Sequence, residues 1–298
     1  MSIGTPGDGV PLYSRYVAVI SIIDEHRRRN ATTWGRWDAM TSHRARVMRL
    51  LIEARREAGR SLCILGPGNG NDIELARLAR EFERVTLVDL DQAAVARAVG
   101  RLDKDGARRV KQFSPVDLSG ILPVLESWMR HRNPTDAEIT AVVRSARAAP
   151  RPNVGSSDVV ASTCMLTQLF DSVYMALPTE HPRCIELVVS VRDRHLEIIL
   201  ELLKPGGVGV LVTDFVATKT ATELAQLDEL MLPYDTANWI EERNFFTGAN
   251  PFAIREYYNR SRGPGPCASD AQVKGPWRWD LGATQLAVSA VTFRRSIG

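Results

Sequence analysis

Three glycines, Gly66, Gly68 and Gly70, stand at alternate positions in LCILGPGNGNDIEL, residues 62–75, between an apolar run and an amphipathic one. Glycine at such places lets the backbone turn tightly and approach a ligand whose polar groups meet the amides at a helix N-terminus. The next apolar run, VTLV at 85–88, ends on Asp89, where a carboxylate can accept hydrogen bonds from both hydroxyls of a ribose. Together these features point to a nucleoside ligand. A dinucleotide fingerprint would place its third glycine at position 71, which is Asn71, so GxGxxG fails while GxGxG holds. No Gly-Lys-Ser/Thr follows, which excludes a P-loop.

The elements that must position these residues follow from periodicity. SLCIL at 61–65 reads as a buried strand, and Asp72 is expected to cap a helix running through Ile73, Leu75, Ala76, Leu78, Ala79 and Phe82. VTLV is a second strand, Asp91 caps a helix to about residue 102, and RVKQF at 109–113 is a third strand with Asp117 beyond its end. Two helices over 120–148 precede a Pro/Gly/Ser-rich connector and a fourth strand, DVVAST at 158–163. A helix through Met165 to Val173, a break at Pro178 and Pro182, and a long helix to about 203 lead into LKPGGVGVLVTD, a tight turn and fifth strand. Helical stretches are expected near 220–231 and 251–260, and WRWDL-GAT-QLAVSAVTF reads as a closing antiparallel hairpin. Short apolar runs alternating with longer amphipathic ones make βαβ units and a parallel sheet. Helices over 16–30 and 36–58 precede it. The division is an N-terminal arm and helical cap (1–59), a βα core (60–214), a helical lid insertion (215–275) and a C-terminal hairpin (276–298).

At this point the chain resembles the class I S-adenosylmethionine-dependent methyltransferases. GPGNG stands at motif I, VTLVDLD supplies the acid after strand two, Asp117 follows strand three, and PGGVGVLV introduces strand five. The resemblance covers about residues 60–214 and the terminal hairpin. It implies an α/β fold with a seven-stranded, mostly parallel sheet of order 3-2-1-4-5-7-6, the last strand antiparallel and helices on both faces. It implies S-adenosyl-L-methionine as cofactor, with Gly66, Pro67, Gly68, Asn69 and Gly70 beneath its methionine and ribose, Asp89 and Leu90 at the ribose, and Asp117 with Leu118 at the adenine edge. Ser162 and Thr163, at the end of strand four, join that set. Tyr16, with Tyr13, lies in an arm that often folds over the cofactor in small-molecule methyltransferases, where its ring would face the sulfonium; a staple to the core is the equal alternative. Asp72 reads as a helix cap ahead of a ligand to the cofactor's ammonium.

Methyl transfer needs an aligned acceptor, exclusion of water and sometimes one base. The loop after strand four, Ser162 to Gln168, departs from the Asp/Asn/Ser-Pro-Pro-aromatic motif of enzymes acting on exocyclic or amide nitrogens, which argues against a DNA or glutamine acceptor. Gln168, Asp171 and Tyr174, with His181, are the candidates to orient or deprotonate an acceptor. Their ordinary readings are helix surface for Asp171, core for Tyr174 and a solvated loop for His181. Cys164 has no histidine placed to activate it as a nucleophile.

Composition narrows the classes further. The chain has 298 residues, 44% of them hydrophobic, and 38 basic against 35 acidic residues, a formal charge of +3. No apolar run approaches the ~20 residues of a spanning helix, so no membrane partner is expected. The start lacks a basic n-region and an apolar h-region, so a cytoplasmic location is expected. Cys63, Cys164, Cys184 and Cys267 form no CxxC pair and the five histidines no HExxH or HxH pattern, so no metal is expected. Arginine is favoured over lysine along the whole chain, which argues for coding bias rather than a nucleic-acid surface. A homodimer is left open. The first reading is methyl transfer to a small molecule in an enclosed pocket built by the cap and the insertion. The alternative keeps the cofactor and attacks its aminobutyrate chain, by cyclisation to azetidine-2-carboxylate or aminobutyryl transfer, releasing methylthioadenosine. A silent or nucleic-acid-binding relative and a nicotinamide enzyme are the remaining rivals.

Overall fold

Strands covered by helices on both faces have no solvent side, and those nearest the glycine turn are largely apolar. In the computed structural model, which describes residues 21–130, 134–260 and 265–297, β1 (Ser61–Leu65) is buried at every position and β2 (Arg84–Val88) at all but the first. With β3 (Val110–Phe113), β4 (Ser157–Thr163), β5 (Leu203–Ala217), β6 (Ala268–Asp280) and β7 (Gln285–Arg295) they form one seven-stranded sheet of order β3-β2-β1-β4-β5-β7-β6. The first five pair in parallel, and β7 runs antiparallel to both β5 and β6. Register aligns Leu65 with Val88 on one side and Ser162 on the other, so the carboxyl ends of β1, β2 and β4 finish together. The chain segments leaving these ends share one edge, which is where ligands bind in open α/β sheets.

Helices cover both faces. α1 (Ile22–Thr33) starts at Ser21, whose hydroxyl accepts from the Asp24 amide, and α2 (Thr41–Ala58) follows. α3 (Leu75–Glu81), α4 (Gln92–Val99) and α5 (Lys104–Arg108) belong to the first βα units. Asp91 caps α4 by accepting from the amides of Ala93 and Ala94. α6 (Leu122–Arg130) and α7 (Asp136–Arg147, with a Thr135/Glu138 capping box) precede β4; α8 (Leu166–Ala176) and α9 (Cys184–Leu202) follow it. α10 (Leu232–Glu241) and α11 (Pro251–Arg260) lie between β5 and β6. One apolar cluster joins α6 to α9 with one face of the sheet, and a second joins α2 and α3 with the other. Among the described residues no helix is long and apolar enough to cross a membrane.

Three local expectations are corrected. Asp72 does not cap a helix: α3 begins at Leu75, its N-cap position is Glu74, and no side chain caps it. The helical stretch expected near 220–231 is only a 3₁₀ turn at Thr222–Ala225, and α10 begins where Pro233 can take a first-turn position. β6 starts at Ala268 rather than near 276, because its pairing with β7 is interrupted between Lys274 and Trp277. Pro276, which has no amide to donate, sits in that interruption and breaks the sequence pattern, not the strand.

Candidate active site

The glycine turn is held by backbone bonds. Gly66 N donates to Val88 O at 2.9 Å, tying the end of β1 to β2, and Gly70 N donates to Pro67 O at 2.7 Å. Gly66 and Gly68 have φ of 69° and 49°, conformations L side chains rarely adopt. The turn is also hemmed in: a Cβ on Gly66 would lie 2.5 Å from Met165 Sδ, and one on Gly68 would lie 2.9 Å from Asn30 Oδ1 of α1.

Asp89 closes the turn from β2. Its Oδ2 accepts from the Gly68 amide at 2.8 Å and its Oδ1 from the Asp91 amide at 2.7 Å. Each oxygen keeps further acceptor capacity. Burial pushes the Asp89 carboxyl above its usual range, while the amides of Asp91 and Gly68 pull it down. Beside this residue opens a cavity of about 880 Å³, bordered at this end by Gly66, Pro67, Gly68, Asn69, Asp89 and Leu90. Val116, Asp117, Leu118 and Ser119 continue the wall. Asp117 has a local task that sequence reading did not assign: Oδ1 accepts from the amide and hydroxyl of Ser119 at 2.8 and 2.6 Å, and Oδ2 accepts from the Leu122 amide at 3.0 Å, at the start of α6.

Other expected cofactor residues lie elsewhere. Gly70 faces Ala98 and Ile73, outside this cavity. Ser162 and Thr163 do not line it either, and both are buried in the sheet. The Ser162 hydroxyl meets His195 Nε2 at 2.9 Å beneath α9, and the chain first reaches the cavity at Cys164 and Met165. Side chains alternate along a strand, so a step of one residue decides which layer each one enters. Ser162→Ala is therefore expected to cost about 1–3 kcal/mol of stability by orphaning a buried imidazole, with unchanged nucleoside affinity. Parallel denaturant and ligand titrations check this, and lost affinity at full stability would return Ser162 to the site. Tyr16, like Tyr13, lies outside the described residues.

Gln168, Asp171 and Tyr174 share the cavity-facing side of α8. The Gln168 amide donates to Cys164 O at 3.3 Å, and Asp171 pairs with Arg29 Nη1 of α1 at 2.5 Å. Burial pushes the Tyr174 phenol up. His181 is not in the wall; its Nδ1 accepts from the Arg183 amide in a turn. His26, unassigned from sequence, does line the cavity. Its Nε2 lies 2.9 Å from Ser172 Oγ, whose own proton goes to Gln168 O, so Nε2 is the donor. Burial, then Arg29, lowers its pKa and keeps it neutral. The surrounding HRRRN run reads as a solvated surface, which hides it.

The opposite end of the cavity is acidic. Asp72 and Asp214 line it, with Cys164, Thr167, Trp279 and Leu286 around them. Burial, and then the neighbouring Asp214, raise Asp72 to about 7; burial raises Asp214 to about 6 against the Thr167 hydroxyl, which donates to its Oδ1 at 2.9 Å. Sequence held one unused signal, a carboxylate inside the otherwise apolar run VGVLVTDFVA. A carboxyl whose folded-state pKa exceeds its unfolded value near 3.9 costs stability as pH rises from that value through the folded one. His43 and His195, held down to about 3 and about 4 by burial, act oppositely and add stability as pH rises through that range. Asp72→Asn isolates the first effect. It is expected to raise the unfolding free energy on the order of 1–3 kcal/mol at pH 8, with the difference vanishing by pH 4. Urea melts across that range check it, and a pH-independent difference would mean that Asp72 ionises without penalty.

No family profile and no curated protein sequence matches the chain. Among solved structures it is similar to the N-methyltransferase NodS from Bradyrhizobium japonicum WM9 in complex with S-adenosyl-L-homocysteine, at 13% identity over 92% of this chain and 88% of that one, with a TM-score of 0.38. It is also similar to the methyltransferase domain of bacterial CtHen1-C, at 13% identity, 83% and 95% coverage and a TM-score of 0.44. A third is the O-methyltransferase TomG from Streptomyces achromogenes, involved in tomaymycin synthesis and in complex with SAM, at 16% identity, 83% and 77% coverage and a TM-score of 0.35. The ligands and activities named are those proteins' own. The strand order and the antiparallel seventh strand are the ones expected for the class I S-adenosylmethionine-dependent methyltransferase fold, and this chain has that fold.

Proposed function

We propose that the protein is an S-adenosyl-L-methionine-dependent methyltransferase acting on a small-molecule acceptor. One observation carries this reading: a buried carboxylate, Asp89, is fastened across a glycine turn at the carboxyl edge of the sheet and borders a cavity of about 880 Å³. The residues present fit the cofactor. Asp89 would accept from the ribose hydroxyls, the Gly66–Asn69 backbone would approach the chain between ribose and methionine, and Leu90, Val116 and Leu118 would meet the adenine faces. Asp117 would lie at the adenine edge with Leu118, its Oδ1 holding Ser119 while Oδ2 accepts only the Leu122 amide and keeps acceptor capacity.

When bound, the cofactor supplies an electrophilic methyl carbon and a thioether leaving group. The protein's part is to align the acceptor and exclude water. α1 contributes His26, Arg29 and Asn30 to the roof, and the 215–275 insertion contributes Phe245, Phe246 and Thr247. These walls favour an enclosed small molecule over a polymer, and give 1–59 and 215–275 the parts of cap and lid. Gln168, Asp171 and Tyr174 remain the orienting candidates on α8, Asp171 through its pair with Arg29.

The test is binding, then product identity. S-adenosylhomocysteine at 100 times its Kd is expected to stabilise the protein by about 2.7 kcal/mol, and NAD is not. Turnover of S-adenosylmethionine with amine, phenol and carboxylate pools is expected to release S-adenosylhomocysteine. Methylthioadenosine as the product would overturn methyl transfer in favour of attack on the aminobutyrate chain, and stabilisation by NAD alone would overturn the cofactor.

A further inference from the structure

We propose that His26 is the base of the reaction and that Nδ1 of its ring takes the proton of a phenolic acceptor as the methyl group is transferred. This rests on the reading above of the cavity as a methyl-transfer site, and goes beyond it in naming the acceptor class and the group that activates it. The hydrogen bonds around the ring fix which nitrogen is free. Ser172 Oγ donates to Gln168 O at 3.0 Å, and a carbonyl can only accept, so the hydroxyl is left to accept from His26 Nε2 at 2.9 Å. The ring proton is therefore on Nε2 and the lone pair on Nδ1. The described residues hold no partner for Nδ1, and unlike His43 Nε2 and His195 Nδ1 it is not walled in by protein atoms. His26 and Ser172 both border the cavity.

Position agrees with the role. α1 lies over the glycine turn at Asn30, whose carbonyl accepts from Asn69 Nδ2 at 2.5 Å and whose Oδ1 would lie 2.9 Å from a Cβ on Gly68. His26 is four residues earlier on the same helix face, about 6 Å back along the axis. There α1 is fastened to α8, by His26 to Ser172 and by Arg29 to Asp171. Nδ1 thus belongs to the part of the cavity between the turn, which would carry the cofactor's methionine and ribose, and the α8 face, which would carry the acceptor. The neighbours on α8 are poorer bases: Asp171 is committed to Arg29, and burial holds the proton on the Tyr174 phenol. Phe170, Phe245 and Phe246 line the same cavity and suit a flat aromatic acceptor. A phenol is a poor nucleophile until its proton moves, whereas a neutral amine attacks with the lone pair it already has, so a fixed base is of most use to a phenol.

In the step the phenol O–H bond breaks and leaves its electron pair on oxygen, oxygen bonds the methyl carbon, and the pair of the S–C bond departs on sulfur. The proton forms N–H at Nδ1, and the resulting imidazolium returns it to water once the product leaves. The charged groups facing the ring are Arg29 and Glu25 on α1, Asp171 on α8 and Asp91 at the head of α4, and Glu126 of α6 accepts from the Ile23 amide close by. Burial and Arg29 disfavour the imidazolium, so the resting ring is a neutral base; Asp171, Glu25 and Asp91 favour it, so the charge formed in the step is met by carboxylates.

The experiment uses the full chain as wild type and His26→Gln, with 2-naphthol, a phenol that stays protonated at neutral pH, and 4-nitrophenol, which is largely ionised at pH 8. Both proteins are expected to bind S-adenosylhomocysteine alike, which also reports that the variant folds. Methyl transfer to 2-naphthol is expected to lose at least about 100-fold in kcat in His26→Gln, and transfer to 4-nitrophenol at pH 8 far less, because that acceptor has already given up its proton. The wild-type kcat for 2-naphthol is expected to fall on the acid side with a midpoint below about 6.5, since a base with a lowered pKa is protonated only below it, and the variant lacks that limb. A readout without turnover is nitrogen-15 NMR of the wild-type imidazoles with S-adenosylhomocysteine bound. It is expected to show a histidine protonated at Nε2 whose bare Nδ1 signal moves on adding 2-naphthol but not its methyl ether, a signal absent from His26→Gln. An Nδ1–H tautomer, no response to the phenol, near-normal kcat in the variant or equal losses for the two phenols would overturn the proposal. So would an acid limb that persists in the variant and so belongs to Asp72 or Asp214, transfer to amines with none to either phenol, or lost S-adenosylhomocysteine affinity in the variant. Failure of S-adenosylhomocysteine to bind the wild type would instead remove the reading on which it rests.

Discussion

Asp89→Ala is expected to weaken S-adenosylhomocysteine binding by about 100-fold. A carboxylate accepting two ribose hydroxyls contributes hydrogen bonds to a charged group, each about 1.5–3 kcal/mol, and a loss of about 3 kcal/mol is two decades in Kd. The substitution also frees the Gly68 and Asp91 amides, which donate to Oδ2 and Oδ1. The glycine turn loses its clasp together with the ligand's acceptor. Asp89→Asn separates the two effects, because it keeps an acceptor for one amide while giving up the charge. Its expected loss is smaller. Titration calorimetry on both variants, with a denaturant melt to confirm folding, checks the prediction. Near-normal affinity in the alanine variant would remove the ribose assignment and, with it, the reading of the whole cavity end.

Gly66→Val is expected to lower the unfolding free energy by about 3 kcal/mol or more. Two penalties add. The backbone at Gly66 has φ of 69°, which a β-branched residue adopts only under strain. The added Cβ would also lie 2.5 Å from Met165 Sδ and 3.1 Å from Met165 Cβ, so the connection between β4 and α8 must move, not merely a side-chain tip. Gly66→Ala combined with Met165→Ala tests the division. Truncating Met165 removes the 2.5 Å contact with Sδ and leaves the tight contact with its Cβ and the backbone strain, so the double variant is expected to be more stable than the sum of the single losses implies. Additive losses would show that the turn and Met165 are not in contact. Gly66→Val with wild-type stability would mean that the turn adopts another conformation.

These outcomes bear on features whose legibility in the sequence differed. The glycine turn and Asp89 were readable because both are local: a strand, a bend and the first residue past the next strand are separated by short fixed lengths. The strand order followed from the resemblance of those same motifs. Asp91 was readable as a cap for the same reason, since its carboxylate serves amides two and three residues ahead. Asp72 misled because its spacing also suits a cap; the backbone from Gly70 to Glu74 forms turns, α3 starts late, and the side chain is left at the cavity. Ser162 and Thr163 misled because the end of a strand can be read to within a residue or two, whereas the face each side chain takes changes with every residue.

The amino-acid sequence by itself determined the alternation of strands and helices, the bend of bare backbone at Gly66–Gly70 and the acid that faces it, since each rests on periodicity or on neighbours a few residues apart. Only the tertiary structure decided which distant side chains meet. Asp72, Asp214 and Trp279 come from a loop, the fifth strand and the sixth, and His26 reaches Ser172 across more than a hundred residues of chain. Their meeting depends on sheet order, strand register and the way α1 lies over the turn. Those are settled by burial summed over the whole core, which no local spacing encodes.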